Sequence, residues 1–293
     1  MAQQSIGFIG LGVMGEPMCR NLVRNSGHPV IAFDLRPEPL DRLAADGVAR
    51  AGSIRDIAQR AGVILLSLPS GSEVEAICAR DDGLLAHARP GQTILDLGTS
   101  PVKLARSLAQ RFAERGADFA DAPVARTRAA AEAGTLSVMV GGSEQTFRRV
   151  EPLLRSFATE ITHCGEIGAG QLTKILNNMV LFETGVALAE ALALARRNGL
   201  DPALLFSTLA KGSADSFALR NHGMKAMLPG DFPERAFSAC YALKDIGYAL
   251  ECAADAGVTL AGAELARKRL EQAIAQGFGE QYWPVIAKGI GEP

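Results

Sequence analysis

The residues best placed to do chemistry are Lys174, Asn177 and Asn178, in the stretch GEIGAGQLTKILNNMVLFE. The run has helical spacing, and Leu172, Ile175, Leu176, Met179 and Val180 around the three polar groups are apolar. Residues three and four apart share a helix face, so an ammonium and two amides cluster on an otherwise greasy helix. An ammonium there is costly unless it is paired or used. Partial burial lowers its pKa, which suits it to exchange a proton near neutral pH. The alternative is a lysine whose stem packs on the helix while its head reaches solvent.

A second set is Gly10, Gly12 and Gly15 in GFIGLGVMGEPMCRNL, spaced G-x-G-x-x-G directly after a strand and opening a helix. Glycine at these places lets the backbone turn tightly and approach a pyrophosphate, whose charge meets the free N–H groups of the helix start. Asp34 follows the second strand about 20 residues on, where a carboxylate bonds the adenine ribose hydroxyls. It would repel a phosphate on that ribose, and Leu35 offers no cation to compensate, so NAD is expected over NADP, with Arg36 the one nearby cation that could swing round to a phosphate. A third set lies in DAPVARTRAAAEAGTL, which reads as a strand end, a polar turn, a short alanine-rich helix and Gly134 as its stop. Arg126 and Arg128 in that turn are either surface groups or, for Arg126, a fork aimed at an anion.

These groups need a scaffold. SIGFIG, PVIAFD, VILLSLP, TILDLG, ADFADAPV and TLSVMVGG are strand-like, ITHCG is the last of the kind, and helical runs separate them. Such alternation implies an α/β fold, an N-terminal Rossmann-type doubly wound and mostly parallel sheet covered on both faces. From about Gly165 the strands stop and the chain turns helical, so the expected domains are residues 1–165 for cofactor and an all-α C-terminal domain, 166–293. At 293 residues both can bury a core. A net charge of −2 gives no reason to expect a nucleic-acid or anionic-membrane partner. Five cysteines without a C-x-x-C pair suit a reducing compartment. The start, MAQQSIGFIG, lacks a signal-peptide pattern. The apolar run MVLFETGVALAEALALA carries Glu183 and Glu190, so it reads as a core helix of a cytoplasmic protein. His28, His87, His163 and His222 have neither metal-ligand spacing nor a Ser-His-Asp arrangement, so no metal is expected.

With GFIGLGVMGEPM, SLPS, LDLGTS, DAPV…AGTLSVMVGG, GEIGAGQLTKILNN and ALKDIGYAL in this order, nearly the whole chain resembles the β-hydroxyacid dehydrogenases. These include 3-hydroxyisobutyrate dehydrogenases and tartronate semialdehyde reductases, with 6-phosphogluconate dehydrogenase a more distant relative. The resemblance implies hydride exchange between NAD and a small anionic 3-hydroxy acid or its semialdehyde. It makes Lys174 the general acid/base, has Asn178 and Asn177 orient the substrate, and lays Lys244 over the cofactor to close the cleft. It lines the cofactor site with Val13, Met14, Leu68, Pro69 and Thr99, makes Ser213 and Phe217 candidate substrate contacts, and implies a homodimer or homotetramer.

The chain departs from the family at the anion loop, where Ala125, Arg126 and Thr127 stand for the usual Ser-Gly-Gly. Arg126 and Thr127 resemble the loop of sulfolactaldehyde reductases, whose arginine helps bind a sulfonate. Leu181 is apolar where that branch can use a hydroxyl. Arg126 and Thr127 are thus expected to hold the substrate's remote anion, a carboxylate or, alternatively, a sulfonate. Two rivals are an imine reductase, which generally lacks the lysine, and a non-catalytic NAD(H)-binding module.

Overall fold

Short β-branched and apolar runs set the order of the first half: β1 (Ser5–Ile9), β2 (Val30–Phe33), β3 (Ala49–Arg50), β4 (Ala61–Leu66), β5 (Thr93–Asp96), β6 (Asp118–Asp121), β7 (Val124–Ala125), β8 (Leu136–Gly141) and β9 (Ala158–Gly165). The computed structural model describes residues 5–234 and 236–290. Its sheet runs β3-β2-β1-β4-β5-β6-β8-β7, with β9 pairing β8. The first six strands are parallel. The sheet then turns mixed, because β8 meets both β6 and β7 antiparallel. The helices around it are α1 (Gly15–Asn25), α2 (Pro37–Ala44), α3 (Ile54–Arg60), α4 (Gly71–Ala79), α5 (Val102–Ala113), α6 (Arg128–Glu132) and α7 (Glu144–Leu154). The sequence pattern marks neither the two-residue β3 nor α7.

Strand alternation builds two cores. Ile6, Phe8 and Leu65 face one side with Met18 and Leu22 of α1 and Val150 and Leu154 of α7. Ile9, Ile64 and Leu66 face the other with Ile57 of α3, Val74 of α4 and Leu108 and Phe112 of α5. Each such side chain contributes about 1.5–3 kcal/mol on full burial, so helices on both faces follow from strands apolar on both faces.

The chain divides into two units, Met1–Lys174 and Ile175–Pro293. The second holds most of α8 (Ala169–Arg197), then α9 (Pro202–Leu209), a π-helix over Leu219–Met227, α10 (Ala239–Ala256), α11 (Ala261–Ala273) and a 3-10 segment, Trp283–Gly289. Its described residues form no strand, only the isolated bridges Glu234–Gln281 and Ser238–Tyr282. Among the described residues, α8 is the one helix long and apolar enough to cross a membrane. Here its Phe182, Val186, Ala189 and Leu192 belong to the unit's core. Trp283 lies at the centre, edge-on to Phe182 with ring centroids 5.2 Å apart. Gly185 makes room for it, since a Cβ there would come within 2.4 Å of the indole.

Candidate active site

The carboxyl ends of the parallel strands line up in register. Ile9 pairs Leu66, Leu66 pairs Asp96, and Asp96 pairs Asp121. The residues just past those ends are therefore neighbours along one edge: Gly10, Ser67 to Pro69, Gly98 and Thr99, and Ala122. In open α/β sheets ligands bind in this crevice, at the point where strand order reverses. Here that is between β1 and β4.

The three fingerprint glycines have different reasons. Gly10 has φ +92°, and a Cβ there would lie 2.3 Å from the Ser67 carbonyl oxygen. A Cβ on Gly15 would lie 2.0 Å from the Gly10 carbonyl oxygen. Both are needed to bring α1 onto the strands. A Cβ on Gly12 would meet nothing within 4 Å. It faces open space ahead of α1, whose N-terminus has no side-chain cap. A bare helix start behind a glycine cradle fits a dinucleotide's pyrophosphate. Val13 is exposed beside it and Met14 half-buried. Leu68 is half-buried and Pro69 exposed after β4, and Thr99 is half-buried after β5.

Asp34 lies one residue past β2. Its carboxylate accepts from the Leu11 N–H at 2.6 Å and the Arg36 N–H at 2.8 Å. The Arg36 guanidinium turns back onto it at 3.3 Å and donates to the Leu11 carbonyl.

Further along the edge, a buried polar cluster clamps the start of α8. Asp121 accepts from the Gly168 and Gln171 N–H groups, each at 2.6 Å. A carboxylate on a helix N-terminus is favourable, but burial still pushes its carboxyl above the usual range against those donors. Gln171 accepts from the Ser100 N–H at 2.9 Å and donates to the Gly98 carbonyl at 2.8 Å. Asp96 receives the Ser100 hydroxyl at 2.6 Å. Three residues beyond Gln171, Lys174 is buried.

The anion loop joins β7 to α6. Thr127 caps α6, its hydroxyl accepting from the Ala130 N–H, and Gly134 at φ +68° ends the turn after it. Arg126 has φ +88° and is the one non-glycine among the described residues with positive φ. Its guanidinium is exposed and donates through Nη1 to the Thr135 carbonyl at 2.5 Å and the Thr159 hydroxyl at 3.3 Å. Glu132 pairs with Arg128 at 2.9 Å.

In the helical unit, Asn178 is buried whereas Asn177 faces outward. The Asn177 amide donates to Asn178 Oδ1 at 3.0 Å, and Asn178 Nδ2 donates to Asp245 Oδ2 at 2.7 Å. Lys244 Nζ stands 2.8 Å from Asp245 Oδ1 and over the Tyr248 ring at 5.0 Å.

Residues 5–165 match the family model for the NAD binding domain of 6-phosphogluconate dehydrogenase, and residues 168–283 match the one described as NAD-binding of NADP-dependent 3-hydroxyisobutyrate dehydrogenase. The 2-(hydroxymethyl)glutarate dehydrogenase of Eubacterium barkeri is 35% identical over 283 residues, covering 97% of this chain and 93% of that protein. The NAD-dependent L-serine dehydrogenase of Pseudomonas aeruginosa is 35% identical over 290 residues, covering 97% of both. The chain belongs to the β-hydroxyacid dehydrogenase family. Among solved structures, the 3-hydroxyisobutyrate dehydrogenase of Mycobacterium tuberculosis with L-serine superimposes with a TM-score of 0.85 at 33% identity, over 98% of this chain and 99% of that one. An imine reductase from Myxococcus stipitatus, 17% identical with a TM-score of 0.67 over 98% and 99%, shares the fold alone.

Within this β-hydroxyacid dehydrogenase, the glycines, Leu68, Pro69 and Thr99 gather at one sheet edge, and Lys174 sits on the helix clamped there. Asn178 and Lys244 share one carboxylate in the helical unit. Lys174 and Asn178 face inward one turn apart, so Asn177 is the member of that trio turned to solvent. The sequence reading did not single out Asp245, Asp121 or Gln171. Asp121 was legible as the carboxylate opening D-x-P-V, and Asp245 as the carboxylate beside Lys244. Ser213 and Phe217 are both exposed, and the hydroxyl that accepts from the Leu219 N–H at the start of the following helix belongs to Ser216. His222 is buried inside the π-helix. Among the described residues no group of three or more His, Cys, Asp or Glu could hold a metal.

Proposed function

We propose that this protein is an NAD-dependent oxidoreductase that interconverts a small anionic 3-hydroxy acid and its semialdehyde. The observation that carries the reading is a buried lysine, Lys174, one helical turn from a buried amide, Asn178, on a helix clamped to the strand ends that form an NAD crevice. Bound NAD supplies the hydride acceptor, or as NADH the donor, at its nicotinamide. Lys174 Nζ takes the hydroxyl proton in oxidation and returns it to the carbonyl oxygen in reduction. Asn178, with Asn177 bonded to it, orients the oxygen-bearing end toward that ammonium. Arg126 and Thr127 hold the remote anion, which keeps the reacting carbon in a near-attack position. Val13, Met14, Leu68, Pro69 and Thr99 line the cofactor site, and Lys244 is a further residue assigned to cofactor and substrate. Asp34 favours NAD over NADP because its carboxylate bonds ribose hydroxyls and repels a 2′-phosphate.

In this reading residues 1–165 are the cofactor domain and 166–293 the substrate domain of a cytoplasmic homodimer or homotetramer. The sulfonate variant remains the alternative, since the Arg126 contacts to Thr135 and Thr159 bear equally on a carboxylate and a sulfonate. The test is NADH formation by the purified protein with L-serine, 3-hydroxyisobutyrate and 2-(hydroxymethyl)glutarate. A three-carbon aldehyde bearing sulfonate serves as comparator in the reverse direction. Turnover of one or more acids is expected, with loss of about 10²–10⁴-fold in Lys174→Ala and unchanged NADH affinity. Near-normal turnover by that variant would remove Lys174 from the mechanism.

A further inference from the structure

The helical unit holds a carboxylate with no role in the scheme above. Asp245 faces inward from α10 among Ala242, Ile246 and Ala249, and it is only 3% exposed. A carboxylate in such surroundings is expensive unless its oxygens are engaged. Oδ2 receives the Asn178 amide at 2.7 Å. Oδ1 has no hydrogen-bond partner among the described residues and is compensated by the charge of the Lys244 ammonium 2.8 Å away.

We propose that Asp245 is the positioning residue that fixes which end of the Asn178 amide faces the substrate. The inference rests on the function proposed above. An asparagine amide is nearly symmetric in shape, so packing alone does not choose between its oxygen and its nitrogen. Beside the Lys244 ammonium the carboxylate acts as an acceptor, and turning the amide over would set two acceptors against each other in a buried place. Asp245 thereby holds Nδ2 toward itself, and the Asn177 donor at 3.0 Å holds Oδ1 on the opposite side. Asn178 is left with one N–H and one lone pair in set directions, which is what an oxygen-bearing substrate needs to be oriented.

Asp245→Asn keeps the shape and removes the charge that selects the orientation. It is expected to lower kcat/KM for the acid by about ten- to hundredfold, the worth of a hydrogen bond to a charged group. NADH affinity should stay within about twofold. In an Asn178→Ala background the same substitution should cost nothing further, because the amide to be oriented is gone. An unchanged Asp245→Asn enzyme would overturn the proposal. So would losses that multiply in the double variant, or a loss that tracks weakened NADH binding. If Asp245→Asn does not fold, the wild type answers by NMR. The Asn178 side-chain NH₂ signal, identified by its absence from Asn178→Ala, should exchange slowly with solvent, and fast exchange would refute the contact. If the wild type turns over no acid, the functional reading itself falls. An active wild type with multiplying losses refutes only the role of Asp245.

Discussion

Acidification should loosen the helical unit through a single histidine. His222 is 4% exposed and lies 5.1 Å from the Trp283 ring, centroid to centroid. Its Nδ1 meets the Tyr282 hydroxyl, and in either tautomer Nε2 has no partner among the described residues. Burial first, and the nearby Lys225 charge second, depress the His222 pKa from 6.5 to about 4. The folded unit therefore keeps the imidazole neutral over a range where the unfolded chain takes up a proton. Stability from this group is complete above pH 6.5 and is lost as pH falls toward 4. At pH 5 the deficit is 1.5 units, which at about 1.4 kcal/mol per unit is about 2 kcal/mol. With a urea slope of about 2 kcal/mol per M, the midpoint should fall by about 1 M between pH 7 and pH 5. Trp283 is the only tryptophan and His222 the only histidine after residue 174. Tryptophan fluorescence during urea unfolding thus reads the right unit. His222→Gln should flatten the dependence. An equal fall in that variant, or no fall in the wild type, would refute the argument.

Gly185→Ala should lower stability by about 1–3 kcal/mol through overpacking against Trp283, seen as an earlier fluorescence transition. Gly12→Ala should leave the melting temperature unchanged and weaken NADH binding tenfold or more in a fluorescence titration, because its Cβ enters the open cradle. Gly10→Ala should instead destabilise the fold by about 2 kcal/mol or more, since its methyl would meet the Ser67 carbonyl at positive φ. Arg126→Gly should change stability little. It relieves left-handed strain of about 1–2 kcal/mol while losing exposed bonds worth about 0.5–1.5 kcal/mol each. Its KM for the acid should rise, and an unchanged KM would make Arg126 a surface group.

Much of this was open to reading because short-range chemistry decided it. The strands of the first half are apolar on both faces, and Gly10 and Gly15 of the fingerprint sit where backbone approaches backbone. The turn at Thr127 and Gly134 follows directly from capping chemistry. What escaped depended on partners distant in sequence. Asp121 gains its meaning from Gly168 and Gln171, some 50 positions on, and Asp245 from Asn178, 67 positions back. The antiparallel run of β8 was hidden because strand direction leaves no mark on composition. α7 carries Pro152 inside it, which weakens a helical reading. The burial of His222 inside a π-helix also had no local sign. Arg126 at positive φ was foreseeable only as an arginine standing where glycine is usual.

The anion loop hangs from different supports than the lysine. Ala125 to Thr127 is held by the short β7 pairing and the Thr127 cap, whereas Lys174 depends on Asp121 and Gln171 at the start of α8. Mutation can therefore explore the loop without disturbing Lys174, at a cost of roughly one cap or one turn, about 1 kcal/mol. On the roles proposed for Arg126, Thr127 and Lys174, a lineage built this way can drift from one acid to another through viable intermediates, each inheriting the same reaction while its choice of substrate is rewritten three residues at a time.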